Sequence, residues 1–277
     1  MKTNVLDFVD TCQSTVAGWR EIEERGSLRR RVRAGGPLAG CFQRIPAATV
    51  TEVLAAAGLD FVIVDMEHTP ISLERVAELV RAAEAAGIDA VVRVPSLDPV
   101  TIARTLESGC VGVQLPLVRS AEEAEVAVRA TRFQPGGTRG LAAPRQTGFG
   151  VYRTLEDWIA TSEEHLLVVA QIEDGAGVRD AEAIAAVEGI DVVFVGLTDL
   201  SQSLGIPGQF DAPTMREALE RVRSAVATAG KVLGLPAPDP SGLERARSLG
   251  ARYLTVDDVR LLSAGAAELV GRLRSAP

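Results

Sequence analysis

Eight short runs of β-branched and other apolar residues recur along the chain, and most are separated by alanine-rich stretches of helical period. The runs cover residues 37–42, 60–65, 90–94, 111–116, 166–172, 191–196, 231–236 and 252–257. Strands that alternate with helices form parallel sheets, and strands that are apolar on both faces indicate a sheet covered on both sides. Because eight such strands can close on themselves, the pattern predicts an α/β fold, a single (β/α)8 (TIM) barrel.

The length of 277 residues leaves room for one barrel and an extension, since such barrels take about 250 residues. We predict an N-terminal helical extension over residues 1–36 and a barrel domain over 37–277. Residues 19–35 are predicted to form a helix that packs across the bottom of the barrel. Within it, the basic run at 27–33 is interpreted as a solvated helix face.

Charge and composition exclude several classes of partner. The net charge of −8 argues against binding to nucleic acid or to an anionic membrane surface, because both need a basic patch. No apolar stretch approaches the length of a membrane span, and no signal peptide is recognisable. The three cysteines (Cys12, Cys41 and Cys110) lack CxxC spacing, which favours neither disulfides nor a cysteine zinc site. We therefore expect a cytoplasmic protein.

Polar residues collect where the predicted strands end. Barrel enzymes place their chemistry at the carboxyl ends of the strands, and the residues found there are Phe42, Asp65, His68, Arg93, Gln171, Glu173 and Asp199. The other histidine, His165, precedes a strand and is expected on the opposite, structural face. The glycine-rich segment 131–165 is too long for a simple connection, and long loops in compact domains tend to be functional.

Two carboxylates from neighbouring strands, Glu173 and Asp199, suit Mg²⁺ or Mn²⁺ with several retained waters better than a structural zinc. Each candidate taken alone has an ordinary explanation: a strand-end carboxylate can cap a helix, Arg93 can be an ion-pair partner and His68 a satisfied loop residue. Because all four residues are predicted at the carboxyl ends of the strands, on one rim of the barrel, a functional site is favoured over four separate structural roles. Lys2 and Lys231 are the only lysines, and Lys231 begins a strand, so imine formation with a substrate carbonyl is not expected.

Five motifs at strand ends or in the long loop carry a family resemblance. They are DMEHTP at 65–70, VVRVP at 91–95, RFQPGGTRG at 132–140, AQIED at 170–174 and VFVGLTDLSQSLG at 193–205. From about residue 37 onward the chain resembles the metal-dependent HpcH/HpaI aldolases, which cleave 4-hydroxy-2-oxo acids to pyruvate and an aldehyde. The resemblance implies a class II aldolase, an aldehyde-lyase that uses Mg²⁺, Mn²⁺ or Co²⁺.

The same resemblance implies a role for each site residue. Glu173 and Asp199 would bind the metal, and Arg93 would hold the pyruvate oxygen and stabilise its enolate. His68, oriented by Asp65, would transfer a proton through a metal-bound water. Gln171 would sit beside the metal site, backbone amides around Thr198 would bind the substrate carboxylate, and Phe42 would contact the substrate.

The chain departs from the family pattern around the substrate. Phe42 stands where the family usually has tryptophan, Leu197 replaces a proline, and the loop after Gly140 reads LAAPRQTG. Two other possibilities therefore stay open. One is an enzyme of the same fold that forms carbon–carbon bonds through an enolate from oxaloacetate or an acyl thioester, as a citrate synthase does. The other is a barrel that binds an oxo acid without catalysis.

The C-terminal segment predicts assembly. Val259, Leu262, Ala266, Leu269 and Leu273 recur at spacings of three and four, the pattern of a helix that packs on another helix. In a lone barrel this helix would pack back on its own first strand. The family resemblance instead implies a homo-hexamer in which the helix is exchanged between subunits.

Overall fold

The structure, a computed structural model, describes residues 27–275. Residues 1–26, which include Cys12 and most of the predicted extension, lie outside the described residues. The division of the chain between residues 36 and 37 therefore stays a prediction.

Eight parallel strands close into a barrel, as the sequence predicts. They are β1 (Leu38–Gln43), β2 (Phe61–Asp65), β3 (Asp89–Arg93), β4 (Gly112–Leu115), β5 (Leu167–Ile172), β6 (Val192–Val195), β7 (Val232–Pro236) and β8 (Tyr253–Asp257). Each strand pairs with the next one in the chain, and β8 pairs with β1 to complete the ring. The predicted strands agree with the observed ones to within one residue at every end.

Helices surround the barrel. They are α1 (Leu28–Ala34), α2 (Ala48–Ala56), α3 (Leu73–Ala86), α4 (Pro99–Leu106), α5 (Ala121–Thr131), α6 (Leu155–His165), α7 (Gly175–Arg179), α8 (Ala181–Ala186), α9 (Leu197–Ser203), α10 (Pro213–Thr228), α11 (Pro240–Ser248) and α12 (Asp258–Ser275). Several of these helices begin at N-cap residues that can be recognised in the sequence. Asp98, for example, accepts a hydrogen bond from the Thr101 amide just ahead of Pro99 at the first helical position. Within the described part of the chain, no helix is long and apolar enough to cross a membrane.

Two apolar cores stabilise the molecule. One fills the barrel with side chains from the strands, including Phe61, Val91, Val169, Phe194 and Tyr253. The other lies between the strands and the surrounding helices. Burial on both faces explains why the strands are continuous apolar runs rather than alternating ones.

The bottom of the barrel is closed by α1, whose Leu28 and Val32 belong to the inner core. The interpretation of its basic run as a solvated face is wrong for Arg29 and Arg31, whose side chains are 13% and 25% exposed, whereas Arg33 is 58% exposed. Arg29 and Arg33 bind the buried carboxylate of Asp191, and Arg31 binds Asp60 and Asp89. These aspartates stand at or just before the starts of β2, β3 and β6.

The segment 131–165 is not one irregular loop, since its last third forms α6. Thr154 caps this helix by accepting a hydrogen bond from the Asp157 amide, and Trp158 is buried against Phe133. The irregular part is therefore limited to residues 132–154, with a short 3-10 turn at Arg145–Thr147.

The final helix, α12, does not pack back on the barrel along its length. Apart from Asp258 at its start its described residues are exposed, and Leu262 and Leu273 show 65% and 67% of their surface. Among the residues that the structure describes, none covers the predicted apolar stripe.

Candidate active site

A cavity of about 410 Å³ opens at the carboxyl ends of the strands. The structure places seven of the eight predicted site residues in its lining: Phe42, His68, Arg93, Gln171, Glu173, Thr198 and Asp199. The eighth, Asp65, is fully buried and hydrogen-bonded to Arg93. Residues from five different chain segments thus converge on one space whose volume suits a small ligand.

Arg93, at the end of β3, is held rigidly. Asp65 is its register partner on β2 and accepts two parallel hydrogen bonds, from Nε at 2.9 Å and from Nη2 at 2.7 Å. Glu67 lies 3.1 Å from Nη1, and the guanidinium carbon lies 4.6 Å from the centre of the Phe42 ring. This geometry fixes the direction of a charge that is only 7% exposed.

Asp65 keeps its negative charge in spite of its burial. Burial acts to raise the pKa of Asp65, but the hydrogen bonds and charge of Arg93 and the amides of His68 and Glu67 hold it below its ordinary value. Asp65 is thus an anchor for Arg93 and for the loop that follows β2.

His68 has a different carboxylate neighbour from the one expected. Asp65 contacts residue 68 through the backbone amide at 3.2 Å, whereas the ring Nε2 lies 3.9 Å from Glu67 Oε2. The side chain of His68 is 49% exposed. Its imidazole can therefore reach a molecule in the cavity, and Glu67 is the described carboxylate that stands beside it.

Glu173 is positioned by hydrogen bonds from side-chain and backbone amides. Gln114 donates to Gln171, and Gln171 donates to Glu173 Oε2. The Leu117 amide donates to Glu173 Oε1 at 2.8 Å, from a left-handed backbone conformation with φ of 52° that leucine seldom adopts. Strain of this kind persists where surrounding structure imposes it, and it is frequent at functional sites.

Gly196, at the end of β6, has no side chain, and the Glu173 carboxylate occupies the space where a side chain would lie. A Cβ atom at Gly196 would lie 2.6 Å from Glu173 Oε2 and 2.9 Å from Glu173 Cβ. Any larger residue would therefore displace Glu173.

Three carboxylates influence one another in this part of the cavity. Burial raises the pKa of Glu173 to about 7, with Glu67 and Asp199 adding to the rise and the Gln171 and Leu117 hydrogen bonds opposing it. Burial also raises the pKa of Glu67, against the opposing charge of Arg93 and with Asp65 and Asp199 adding to the rise. A site in which carboxylates destabilise each other's charge suits a cation.

The donor set fits a hard divalent metal. Among residues 27–275 no three His, Cys, Asp or Glu side chains form a metal-binding cluster. Glu173 and Asp199 would supply two oxygen ligands, and substrate and water the others, which is the manner in which proteins commonly hold Mg²⁺.

Several residues of the site were given no role in the sequence analysis. Gln114 and Gly196 act on Glu173, and Arg44, Thr255 and Arg260 line the far side of the cavity. All five stand in or near the carboxyl end of a strand, and this position was the available signal.

The residues expected on the structural side lie there. His165 ends α6 beside Ser27 and Arg139, around a separate small cavity. Lys231 Nζ donates to the Ile190 carbonyl at 2.8 Å, just ahead of β6 and β7. This position of Lys231 agrees with the expectation that it takes no part in carbonyl chemistry.

Comparison with known proteins gives a consistent result. Residues 38–256 match the model of the HpcH/HpaI aldolase/citrate lyase family. A pyruvate aldolase of Rhizobium etli is 36% identical over 88% of this chain and 96% of its own length, and the 5-keto-4-deoxy-D-glucarate aldolase of Escherichia coli K12 is 34% identical over 78% and 84%.

Solved structures agree. A HpcH/HpaI aldolase/citrate lyase family protein from Burkholderia cenocepacia J2315 superposes with a TM-score of 0.85 at 36% identity, covering 90% of this chain and 99% of that one. The citrate synthase SbnG superposes with a TM-score of 0.78 at 33% identity, covering 90% and 99%.

Proposed function

The chain belongs to the HpcH/HpaI aldolase/citrate lyase family and is a carbon–carbon lyase of the aldolase type, and from this premise we propose that it cleaves or forms 4-hydroxy-2-oxo acids through a metal-stabilised pyruvate enolate. The observation that carries the proposal is the convergence of Arg93, Glu173 and Asp199 on one cavity, with His68 at its edge. The substrates are a small 2-oxo acid, pyruvate or oxaloacetate, and an aldehyde.

Glu173 and Asp199 would hold a divalent ion, Mg²⁺ or Mn²⁺ and also Co²⁺. When bound, the ion would polarise the 2-oxo carbonyl and neutralise charge that develops on its oxygen. Gln171 keeps Glu173 turned toward this position by donating to its Oε2 atom. Gly196 keeps the space open, because it has no side chain to displace the carboxylate.

Arg93 holds the 2-oxo acid oxygen and stabilises the enolate. Its guanidinium is aimed by Asp65 before any substrate binds, so little reorganisation is needed when charge develops. Phe42 contacts the guanidinium and borders the same space, which supports a role for it in substrate binding. Thr198 lines the cavity in the first turn of α9, where backbone amides would bind the substrate carboxylate.

His68 moves the proton. Its half-exposed ring lines the cavity and has Glu67 rather than Asp65 as its carboxylate neighbour. A positioned acid or base of this kind contributes about 10²–10⁴-fold to a rate.

A second candidate is an enzyme that condenses an enolate from oxaloacetate or an acyl thioester. It is favoured by one observation, the likeness to citrate synthase SbnG over 90% of this chain. An aldolase of the pyruvate type should exchange the methyl protons of pyruvate, and a purely thioester-dependent enzyme should not.

We propose further that the chain forms a homo-oligomer, most simply a hexamer with exchanged α12 helices, and works in the cytoplasm. The uncovered leucines of α12 support assembly, since exposed apolar patches mark interaction surfaces. Cys41 and Cys110 are free and buried, which is compatible with a reducing compartment.

Removal and return of the metal tests the proposal. Protein treated with a chelator should lose cleavage of a 4-hydroxy-2-oxo acid to pyruvate, and Mg²⁺, Mn²⁺ or Co²⁺ should restore it. Full activity after exhaustive chelation would contradict a metal-assisted mechanism.

A further inference from the structure

Leu117, Val118 and Arg119, which we call the β4 loop, follow β4 and do not line the catalytic cavity. Leu117 has a φ of 52°, and among residues 27–275 the other non-glycine residue with a positive φ is Phe149. A side chain in this left-handed region costs free energy, which persists only where the surrounding structure imposes it. Because the Leu117 side chain is exposed, contacts of the backbone are the better explanation for its conformation.

Contacts with β5 and α7 hold the β4 loop in place. The Val118 amide donates to the Gln171 carbonyl of β5 at 3.0 Å. The Arg119 Nε atom donates to Asp174 Oδ2 at 2.7 Å, and Asp174 is the N-cap of α7. The loop is thus attached to the chain on both sides of Glu173, at the residue two before it and at the residue after it.

Gly177, in α7, allows the β4 loop to approach this helix closely. A Cβ atom at Gly177 would lie 2.6 Å from the carbonyl oxygen of Val118, which is closer than real Cβ atoms come to another heavy atom. The φ of Gly177 is not positive, so glycine is required here for the close approach and not for the backbone conformation. Any larger residue would push the Val118 carbonyl away from α7.

The β4 loop held in this way presents one N–H group to the catalytic cavity's carboxylate. The Leu117 amide donates to Glu173 Oε1 at 2.8 Å, while Gln171 donates to Oε2. Each oxygen of Glu173 is therefore fixed by a separate donor. Because a carboxylate has about four acceptor positions, these two hydrogen bonds leave positions for a metal ion.

We propose that Gly177 and Leu117 are positioning residues for the metal ligand Glu173. The close approach at Gly177 imposes the backbone of the β4 loop, and the Leu117 amide then fixes the carboxylate. The assignment rests on the proposed function, because it takes Glu173 as a metal ligand. It gives a role in metal binding to two residues whose side chains do not line the cavity.

Gly177→Ala tests the first step. The full chain would be stripped of metal and titrated with Mn²⁺ by calorimetry. We expect the Mn²⁺ affinity to fall by about 10–100-fold, the scale for a ligand that loses its support. Gly175→Ala is the matched control in the same helix, because the nearest atom to a Cβ there is the end of the Arg179 side chain at 3.4 Å. This control should bind Mn²⁺ like the wild type.

An amide-to-ester exchange at Leu117 tests the second step and does not depend on the folding of Gly177→Ala. Incorporation of the α-hydroxy acid analogue of leucine removes the N–H donor and keeps the side chain. The Mn²⁺ affinity should fall by about tenfold or more, because hydrogen bonds to charged groups contribute on that scale. The same exchange at Leu141 is the control, since its amide donates no hydrogen bond within the described part of the chain.

Two ordinary substitutions separate the main chain of Leu117 from its side chain. Leu117→Ala and Leu117→Gly both keep the N–H group and should bind Mn²⁺ like the wild type. Leu117→Gly should unfold at the higher temperature of the two, because glycine adopts a positive φ without strain. The reverse order of unfolding temperatures would contradict the strain assigned to this position.

Wild-type Mn²⁺ affinity in the Leu117 ester, or in Gly177→Ala that is folded by circular dichroism, would overturn the assignment and leave the proposed function intact. A wild-type chain that binds no Mn²⁺ would contradict the proposed function itself. The two failures can therefore be told apart.

Discussion

Arg93 combines two tasks in one side chain. It faces the cavity with its guanidinium, and it neutralises Asp65, which is fully buried. Removing the whole side chain would leave that carboxylate unpaired, at a cost of about 3–5 kcal/mol for a broken buried pair. A test of its role in catalysis therefore has to keep the charge.

Arg93→Lys keeps the charge and loses the paired donors that fix its direction. We expect turnover to fall by about 10²–10³-fold, the scale for losing one preorganised stabiliser of transition-state charge. Thermal unfolding should show that the variant is folded, whereas Arg93→Ala should be strongly destabilised. Turnover of Arg93→Lys within about threefold of the wild type would show that Arg93 is only a structural partner.

His68 gives a cleaner substitution because its side chain is half exposed and its ion pair with Glu67 is long, at 3.9 Å. His68→Ala should lower proton exchange by about 10²–10⁴-fold, while metal affinity measured by calorimetry stays the same. Loss of metal binding together with activity would reassign His68 as a ligand.

At the scale of elements, groups at the ends of β4, β5 and β6 together fix the position of the Glu173 carboxylate. The loop after β4 contributes the Leu117 amide, β5 contributes Gln171, and the end of β6 contributes the empty space at Gly196. Glu173 is thus defined by three elements that are distant in sequence.

Gly196→Ala tests this arrangement. The added Cβ would lie 2.6 Å from Glu173 Oε2, so we expect the carboxylate to move and metal affinity to fall by about 10–100-fold, as when a ligand loses its support. Gly36→Ala is the control, because nothing lies within 4 Å of a Cβ there. Equal metal affinity in the two variants would refute the role given to Gly196.

The sequence predicts elements and their ends better than it predicts partners. The ends of the strands can be predicted from local apolar runs. These predicted ends were sufficient to place Arg93, Glu173 and Asp199 on the same rim of the barrel. The partner of His68 could not be predicted, because the choice between Asp65 and Glu67 depends on side-chain directions within one loop. Likewise the binding of Arg31 to Asp60 and Asp89 joins residues that are remote in sequence and meet only when the barrel closes.

At the scale of the whole molecule, α12 is an element whose apolar residues are left uncovered by the rest of the described chain, residues 27–257. Its leucines would be buried if α12 packed on a neighbouring chain, and assembly would then contribute to the stability of the barrel.

Leu262→Asp combined with Leu269→Asp should therefore dissociate the proposed oligomer, because two charges cannot be buried unpaired at an apolar interface. Light scattering at micromolar concentration would show the change in mass. Val53→Asp, an exposed position on α2, is the control that should not alter assembly. A monomeric mass for the wild type would contradict the prediction outright.

The chemistry proposed for this cavity begins with the formation of an enolate from pyruvate. Proton NMR of pyruvate in deuterium oxide measures this step directly, without any aldehyde. We predict that the enzyme with Mg²⁺ or Mn²⁺ exchanges the methyl protons, that chelation abolishes the exchange, and that Arg93→Lys slows it by about 10²–10³-fold. Methyl protons that stay unexchanged in the metal-loaded wild type would contradict enolate formation in this cavity.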